Sequence, residues 1–299
     1  VFELRQGIEM PSTIAELYAT ASDAMLARGG AVSDALRQLL QRIFFEAHVA
    51  QRRVIEDRQL DEAALGLGSP DELAAIRAAL APFAYAGRAE KGHYVEVLEG
   101  EHAGKRGTIT EDDKDDTPYK VTLDDGSKVT DWLKPGQLRS SGLDKASFLA
   151  RADGLVASSA AQVRTACEAK LPQAMRDALA EVRRRIAHDE LPLLSLLQAE
   201  PLQLQSSHLS FQEYFAAKAL CEEGTVLSGA PPWQWPVWWA NALAIGTEMG
   251  KPFGKGLLRA AGVEGDTLDL SGKLGGDRPL VLCVVREFTA VLTTLKCVF

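Results

Sequence analysis

Between residues 91 and about 139 the hydrophobic pattern of the chain changes period, and this limits the fold more than any other feature. Before and after that stretch apolar residues recur at helical spacing. Within it they alternate, as in Tyr94-Val95-Glu96-Val97-Leu98, Thr108-Ile109-Thr110 and Tyr119-Lys120-Val121-Thr122-Leu123. Side chains repeat about every two residues on a strand and about every 3.6 on a helix, so one segment does not serve both. Gly100 to Gly107 form a turn region, and Asp124-Asp125-Gly126-Ser127 marks a tight hairpin turn from which Lys128 to Leu133 return as the partner strand. The expectation is a mainly α protein carrying a small inserted β-barrel, with the ends of the insertion close together.

The flanking segments carry helix signals. Residues 11 to 88 read as helical. Thr13 and Glu16 form a capping box ahead of the stripe Ile14, Leu17, Tyr18, Ala21 and Met25, which Gly29-Gly30 ends. Ser33 caps a second helix with Leu36, Leu39, Leu40, Ile43, Phe44 and Ala47 on one face, placed to pack against the first as an antiparallel pair. Ser69-Pro70-Asp71-Glu72 starts a third, with Leu73, Ile76 and Leu80 buried before Pro82. Beyond the β segment, Asp144 opens a helix, Ser158-Ser159 another, and Pro172 a third with Leu179, Val182 and Ile186 on one face. Arg183-Arg184-Arg185 point in different directions around it and read as a solvated face with one useful arginine rather than a phosphate site. Leu202 to Gln205 alternate as a short strand. Four tryptophans, Trp233, Trp235, Trp238 and Trp239, follow Ala230-Pro231-Pro232 and mark a packed connector or a partner-binding surface. Residues 237 to 262 read as helical, and Pro279 to Val298 as a last apolar segment. The expected domains are 1–88, helical; 89–140, the barrel; 141–223, helical around the strand; and 224–299, the Trp/Pro-rich connector with a C-terminal helical part.

The densest local signal is Ser207-His208-Leu209-Ser210-Phe211-Gln212-Glu213-Tyr214-Phe215-Ala216-Ala217. Ser210 and Glu213 fit a capping box and Leu209 can staple to Tyr214, so a helix begins just after His208. A helix N-terminus favours anions, and an imidazole donor beside it is placed to meet a phosphate. Taken alone, a histidine before a helix is also an ordinary surface or capping residue. The helix that follows is apolar and built for burial rather than for a DNA groove.

The segment H-x-S-F-Q-E-Y-F-A-A resembles the winged-helix signature of NACHT-type STAND signal-transduction ATPases, the group that includes the NOD-like receptors. Val1-Phe2-Glu3-Leu4-Arg5-Gln6, Met10-Pro11 and Ile14-Ala15-Glu16-Leu17-Tyr18 are similar to that family's passage from its nucleotide-binding core into its helical domain. The resemblance implies that residues 141–223 are winged-helix-like, that His208 senses the β-phosphate of bound ADP, and that the full-length protein works with ADP and ATP in signal transduction. The G-x-x-x-x-G-K-[ST] loop of such ATPases is missing from these 299 residues. The chain therefore reads as a non-catalytic regulatory fragment that holds no cofactor itself and partners in cis with a P-loop domain. Protein partners or self-assembly, and following leucine-rich repeats hinted at by Leu292-Thr293-Thr294-Leu295, belong to the same expectation.

Val95 to Ile109 follow V-x-V-x-x-G-x-x-x-G-x-x-G-x-I and resemble the KOW motif of ribosomal proteins and elongation factors, an SH3-like barrel, in which Gly107 would serve the turn geometry. The fold class is thus mainly α, a helical bundle and winged-helix-like region with a small inserted SH3-like β-barrel. Tyr94, Lys105, Arg106 and Trp132 are the candidate ligand surface of the barrel, with Lys91 and Lys128 also available for phosphates. An RNA- or protein-binding module on a helical scaffold is the alternative function. Residues 91 to 139 hold eight Lys or Arg against eleven Asp or Glu, and this local excess of acid disfavours RNA. Tyr94, Tyr119 and Trp132 can form a cage for methylated lysine or simply pack in the core. Glu111 to Asp116 lack the glycine and distal glutamate of an EF-hand and read as a solvated hairpin tip.

The net charge of −8 argues against general nucleic-acid binding. No run of 18 apolar residues and no signal peptide occur, so no membrane partner and a cytoplasmic location are expected. Cys167, Cys221, Cys283 and Cys297 are widely spaced, which signals neither zinc nor disulfides. His48, His93, His102, His188 and His208 have no metal spacing, and no nucleophile motif points to an enzyme.

Overall fold

Thr13 and Ser33 open the first two helices of the computed structural model, which describes residues 11–81, 83, 85–222, 227, 230–263, 267–270, 284–288, 291 and 294–296. Helix α1 spans Ile14–Arg28, and Thr13 Oγ1 accepts from the Glu16 N–H at 3.1 Å. Glu16 returns to Ser12 N, at 2.7 Å, so the reciprocal bond of a capping box is displaced by one residue. The buried face of α1 is Ala15, Ala21, Ser22 and Leu26, while Ile14 and Leu17 stay about half exposed. The buried face is thus rotated from the expected stripe, and only Ala21 belongs to both.

Helix α2, Asp34–Val49, is capped by Ser33 Oγ on Leu36 N at 3.2 Å and buries all six residues of its expected stripe. Its main partner is α7, Leu209–Leu220, where Phe44 stacks on Phe215 with centroids 5.0 Å apart and planes at 6°. Tyr18 of α1 also meets α7, edge-on to Phe211 at 5.5 Å. Both N-terminal helices therefore pack on a helix from much later in the chain rather than chiefly on each other.

Within the stretch that reads as helical, Val54–Glu56 form strand β1, followed by α3, Asp57–Gly68. Strand β1 pairs with β7, Gln203–Ser206, which also pairs with β6, Leu194–Gln198. The antiparallel order is β1-β7-β6, with Val54 opposite Gln205. Helix α6, Gln173–Ala187, buries Leu179, Val182 and Ile186 as expected. Of its three arginines only Arg184 is exposed, and all three are paired rather than merely solvated. Arg183 reaches Asp57 and Asp61 at 2.7 Å, Arg184 pairs with Glu181 and Glu190, and Arg185 is 1% exposed. Arg185 Nη1 donates to Leu26 O at 2.8 Å and Nη2 to Ala31 O at 2.7 Å, which satisfies one carbonyl in the last turn of α1 and one in the loop after it.

The chain divides into two compact units, 1–68 with 171–299, and 69–170. The division falls at Gly68 and Leu171 rather than at 88/89 and 140/141, because α4, Pro70–Ala79, packs with α5, Lys145–Lys170, in the same unit as the β segment. The first unit leaves at Gly68 and resumes close by, since a Cβ on Gly68 would lie 2.6 Å from Leu171 Cδ2. Helix α5 runs unbroken through Ser158-Ser159. Serine costs only a few tenths of a kcal/mol in a helix interior, and no proline or glycine pair stands there to stop it.

In the second unit β2, Tyr94–Val97, β3, Arg106–Asp112, β4, Tyr119–Leu123, and β5, Leu138–Ser140, form an antiparallel sheet in the order β4-β3-β2-β5. Val95, Val97, Ile109, Tyr119, Val121 and Leu138 are among its buried core. Gly126, at φ 83°, makes the Asp-Gly turn, but the return runs only through the bridges Thr122–Lys128 and Tyr119–Leu133. Gly107 lies inside β3, where a Cβ would come 2.3 Å from Thr122 O. Glycine is needed there for close approach of two strands, not for a turn.

Trp233, Trp235 and Trp239 are buried in the first unit, and Trp238 Nε1 donates to His48 O at 2.9 Å. They lead into α8, Ala240–Thr247, and α9, Lys251–Ala260. Residues 284–288 are helical, and β8, Thr267–Asp269, pairs in parallel with β9, Thr294–Lys296. The stretch 1–10, most of Pro279 to Val298, and Cys283 and Cys297 lie outside the described residues. No helix among the described residues is long and apolar enough to cross a membrane.

Candidate anion-binding site

Strand β7 delivers the chain to α7 with His208 at the N-cap position, extended at φ −137° and ψ 134°. No side chain caps the first turn of α7, and the His208 ring is exposed. The expected Ser210–Glu213 capping box does not form. Glu213 is buried and accepts from Asn241 Nδ2 at 2.5 Å, and Ser210 sits inside the helix. The helix still begins where expected, and a backbone and a side-chain bond hold the approach: Ser207 N donates to Leu193 O at 3.0 Å, and Ser206 Oγ to His208 O. The first N–H groups of a helix have no partner within it, so an uncapped start leaves donors and a partial positive charge facing outward.

A pocket of about 260 Å3 opens at this helix start, lined by Arg53, Gln205, Ser206, Ser207, His208 and Gln212, with Leu209. No carboxylate is among these residues, in a chain whose net charge is −8. Gln212 is wholly buried. Its Nε2 donates to Arg52 O at 2.9 Å, and its Oε1 has no partner among the described residues. Ser207 Oγ is likewise shielded and unpartnered. Arg53 is exposed and has no hydrogen-bond or ion-pair partner among the described residues. The arrangement offers a guanidinium, an imidazole, a hydroxyl and open backbone N–H groups to an anion. Arg53 carried no sequence signal, because only the pairing of Val54 with Gln205 brings it here. Gln212 carried a weak one, as a polar residue inside an apolar helix.

The second unit disperses its candidates. Tyr94 is 3% exposed, with its hydroxyl on Asp124 and its ring against Phe83 and Phe148; burial, then Asp124, push the hydroxyl up to about 12. Lys105 stands 4.0 Å from Asp125, and Arg106 lies 3.8 Å from Glu96 and over the Phe83 ring. Trp132 is partly exposed beneath Lys120 Nζ, 5.0 Å from its centroid. Tyr119 is fully buried and donates to Ala89 O at 2.8 Å. No ring contact joins Trp132 to Tyr94 or Tyr119, so the three do not make a cage. The acidic run closes on itself at the β3–β4 tip, where Asp113 accepts from Asp115 N and Asp115 from Thr117 N. Among the described residues no group of His, Cys, Asp and Glu is arranged to hold a metal ion.

No family model, curated protein or solved structure matches the chain.

Proposed function

We propose that this chain is the regulatory part of a NACHT-like, nucleotide-dependent signalling ATPase, in which His208 meets a phosphate of ADP held by a P-loop domain that these 299 residues do not contain. The observation that carries this reading is the exposed imidazole at an uncapped helix start, on a pocket without carboxylates. Anions are favoured there by the helix dipole and the open N–H groups.

The order α2-β1-α3-α6-β6-β7, with β1 against β7, supports a winged helix. It draws its first half from residues 34–68 and its second from 173–206, with the unit 69–170 inserted between α3 and α6. That inserted unit is read as a KOW-like, SH3-like barrel. ADP holds the off state by bridging His208 to the P-loop domain, loss of ADP opens it, and hydrolysis belongs to the P-loop domain. The cytoplasm is the compartment for such a switch.

The test is His208→Ala in a protein that joins this chain to its P-loop domain. Faster loss of bound ADP and a lower activation threshold are expected. Unchanged ADP retention and threshold would remove the latch.

A further inference from the structure

We propose that Arg53 is a second phosphate ligand of the pocket at the head of α7, and that the pocket selects a phosphate oxygen still carrying a proton. This rests on the reading of His208 as a phosphate contact and adds a charge and a selectivity to it.

The charge comes from Arg53. Several arginines of the same unit are engaged with carboxylates: Arg37 with Asp23, Arg42 with Glu46, Arg58 with Glu62, and Arg183 with Asp57 and Asp61. Arg53 has no such partner among the described residues, and the backbone on either side of it is fixed. Gln212 Nε2 fixes the carbonyl of the preceding residue, and the pairing of Val54 with Gln205 fixes the next. A guanidinium set beside a helix start, without a carboxylate in the pocket wall, is arranged for an external anion.

The selectivity comes from two atoms that lack partners. Ser207 Oγ can donate to a bare phosphate oxygen. Gln212 Oε1 can only accept, and its own amide nitrogen is already committed to Arg52 O, so turning the amide round would merely exchange one orphan for another. A buried acceptor left without a donor is costly. A singly protonated phosphate or diphosphate supplies that donor as its P–OH together with bare oxygens for Arg53, His208 and the helix. Sulfate, fully deprotonated at neutral pH, offers the second without the first. The ligand class is thus the protonated terminal phosphate of a diphosphate.

The experiment is calorimetric titration of the 299-residue chain with inorganic pyrophosphate and, separately, with sulfate at matched ionic strength. It uses the unmodified chain, Arg53→Ala, Arg53→Lys and His208→Ala, each with its melting temperature checked. Saturable pyrophosphate binding below about 10 mM is expected, weakened about tenfold by Arg53→Ala and less by Arg53→Lys, with sulfate clearly weaker. Absence of saturable binding to the unmodified chain overturns the site. If His208→Ala weakens binding and Arg53→Ala does not, Arg53 has no part in it and the His208 reading stands. If Arg53→Ala alone weakens it, the anion site stands and the His208 reading falls. Equal binding of sulfate overturns the role of Gln212.

Discussion

The imidazole of His48 stacks on Trp238 with ring centroids 5.3 Å apart, and Trp238 in turn donates its indole N–H to the backbone oxygen of His48. Trp239 meets the ring edge-on at 4.5 Å, and neither ring nitrogen of His48 has a hydrogen-bond partner among the described residues. Burial pushes the imidazole down to about 4. The folded chain therefore keeps His48 neutral where the unfolded chain, titrating near its ordinary value of about 6.5, takes up a proton. Stability from this site is present above about pH 6.5 and is lost as pH falls towards 4, by on the order of 3 kcal/mol in all. Urea midpoints measured at about pH 7 and about pH 5 should differ in the unmodified chain, and the difference should shrink in His48→Leu. An unchanged pH dependence in that variant would show that the proton uptake lies elsewhere.

Gly107 should not tolerate a methyl group. A Cβ there would sit 2.3 Å from Thr122 O and 2.9 Å from Leu123 Cα, so β3 and β4 would have to part. Gly107→Ala is expected to destabilise the chain by about 1–3 kcal/mol. Gly136→Ala meets nothing within 4 Å and serves as the neutral control. Thermal melts of the two variants decide the matter.

Arg185→Ala should cost about 3 kcal/mol, because it leaves the buried carbonyl of Leu26 and the part-buried one of Ala31 without their donor. Arg185→Lys should recover part of this, since an ammonium can serve one carbonyl but not reproduce the fork. Equal losses in both variants, measured by chemical denaturation, would mean that shape rather than hydrogen bonding holds the site.

Cys221 should react slowly with alkylating reagents. Burial, aided by Glu222, pushes its thiol up to about 11, and only the thiolate is nucleophilic. Mass spectrometry of the chain treated with iodoacetamide near pH 8 should find Cys221 labelled far more slowly in the folded than in the urea-unfolded state. Equal rates would refute this.

Local hydrogen bonding explains what could be read from the residues alone. Thr13 and Ser33 start helices because the N–H groups their side chains satisfy lie within one turn, and Asp125-Gly126 turns the chain because only its neighbours are involved. Strand β4 falls on Tyr119–Leu123 as the alternation indicates, and α7 begins directly after His208. Even there, the Ser210–Glu213 box failed, since Glu213 found Asn241 in a later helix.

By itself, then, the sequence determined the starts of these helices, the mainly helical character and the position of the β segment. Tertiary structure alone decided which face of α1 is buried, that Val54–Glu56 is a strand, and that Arg185 lies inside. It also decided the candidate site: His208 was visible from its place before a helix, but Arg53 and Gln212 join it only through the pairing of β1 with β7 and the bond from Gln212 to Arg52. The physical reason is separation along the chain. Spacing within a turn or a strand records bonds between near neighbours, whereas a contact across some 150 residues is chosen by the packing of the whole unit and leaves no local pattern.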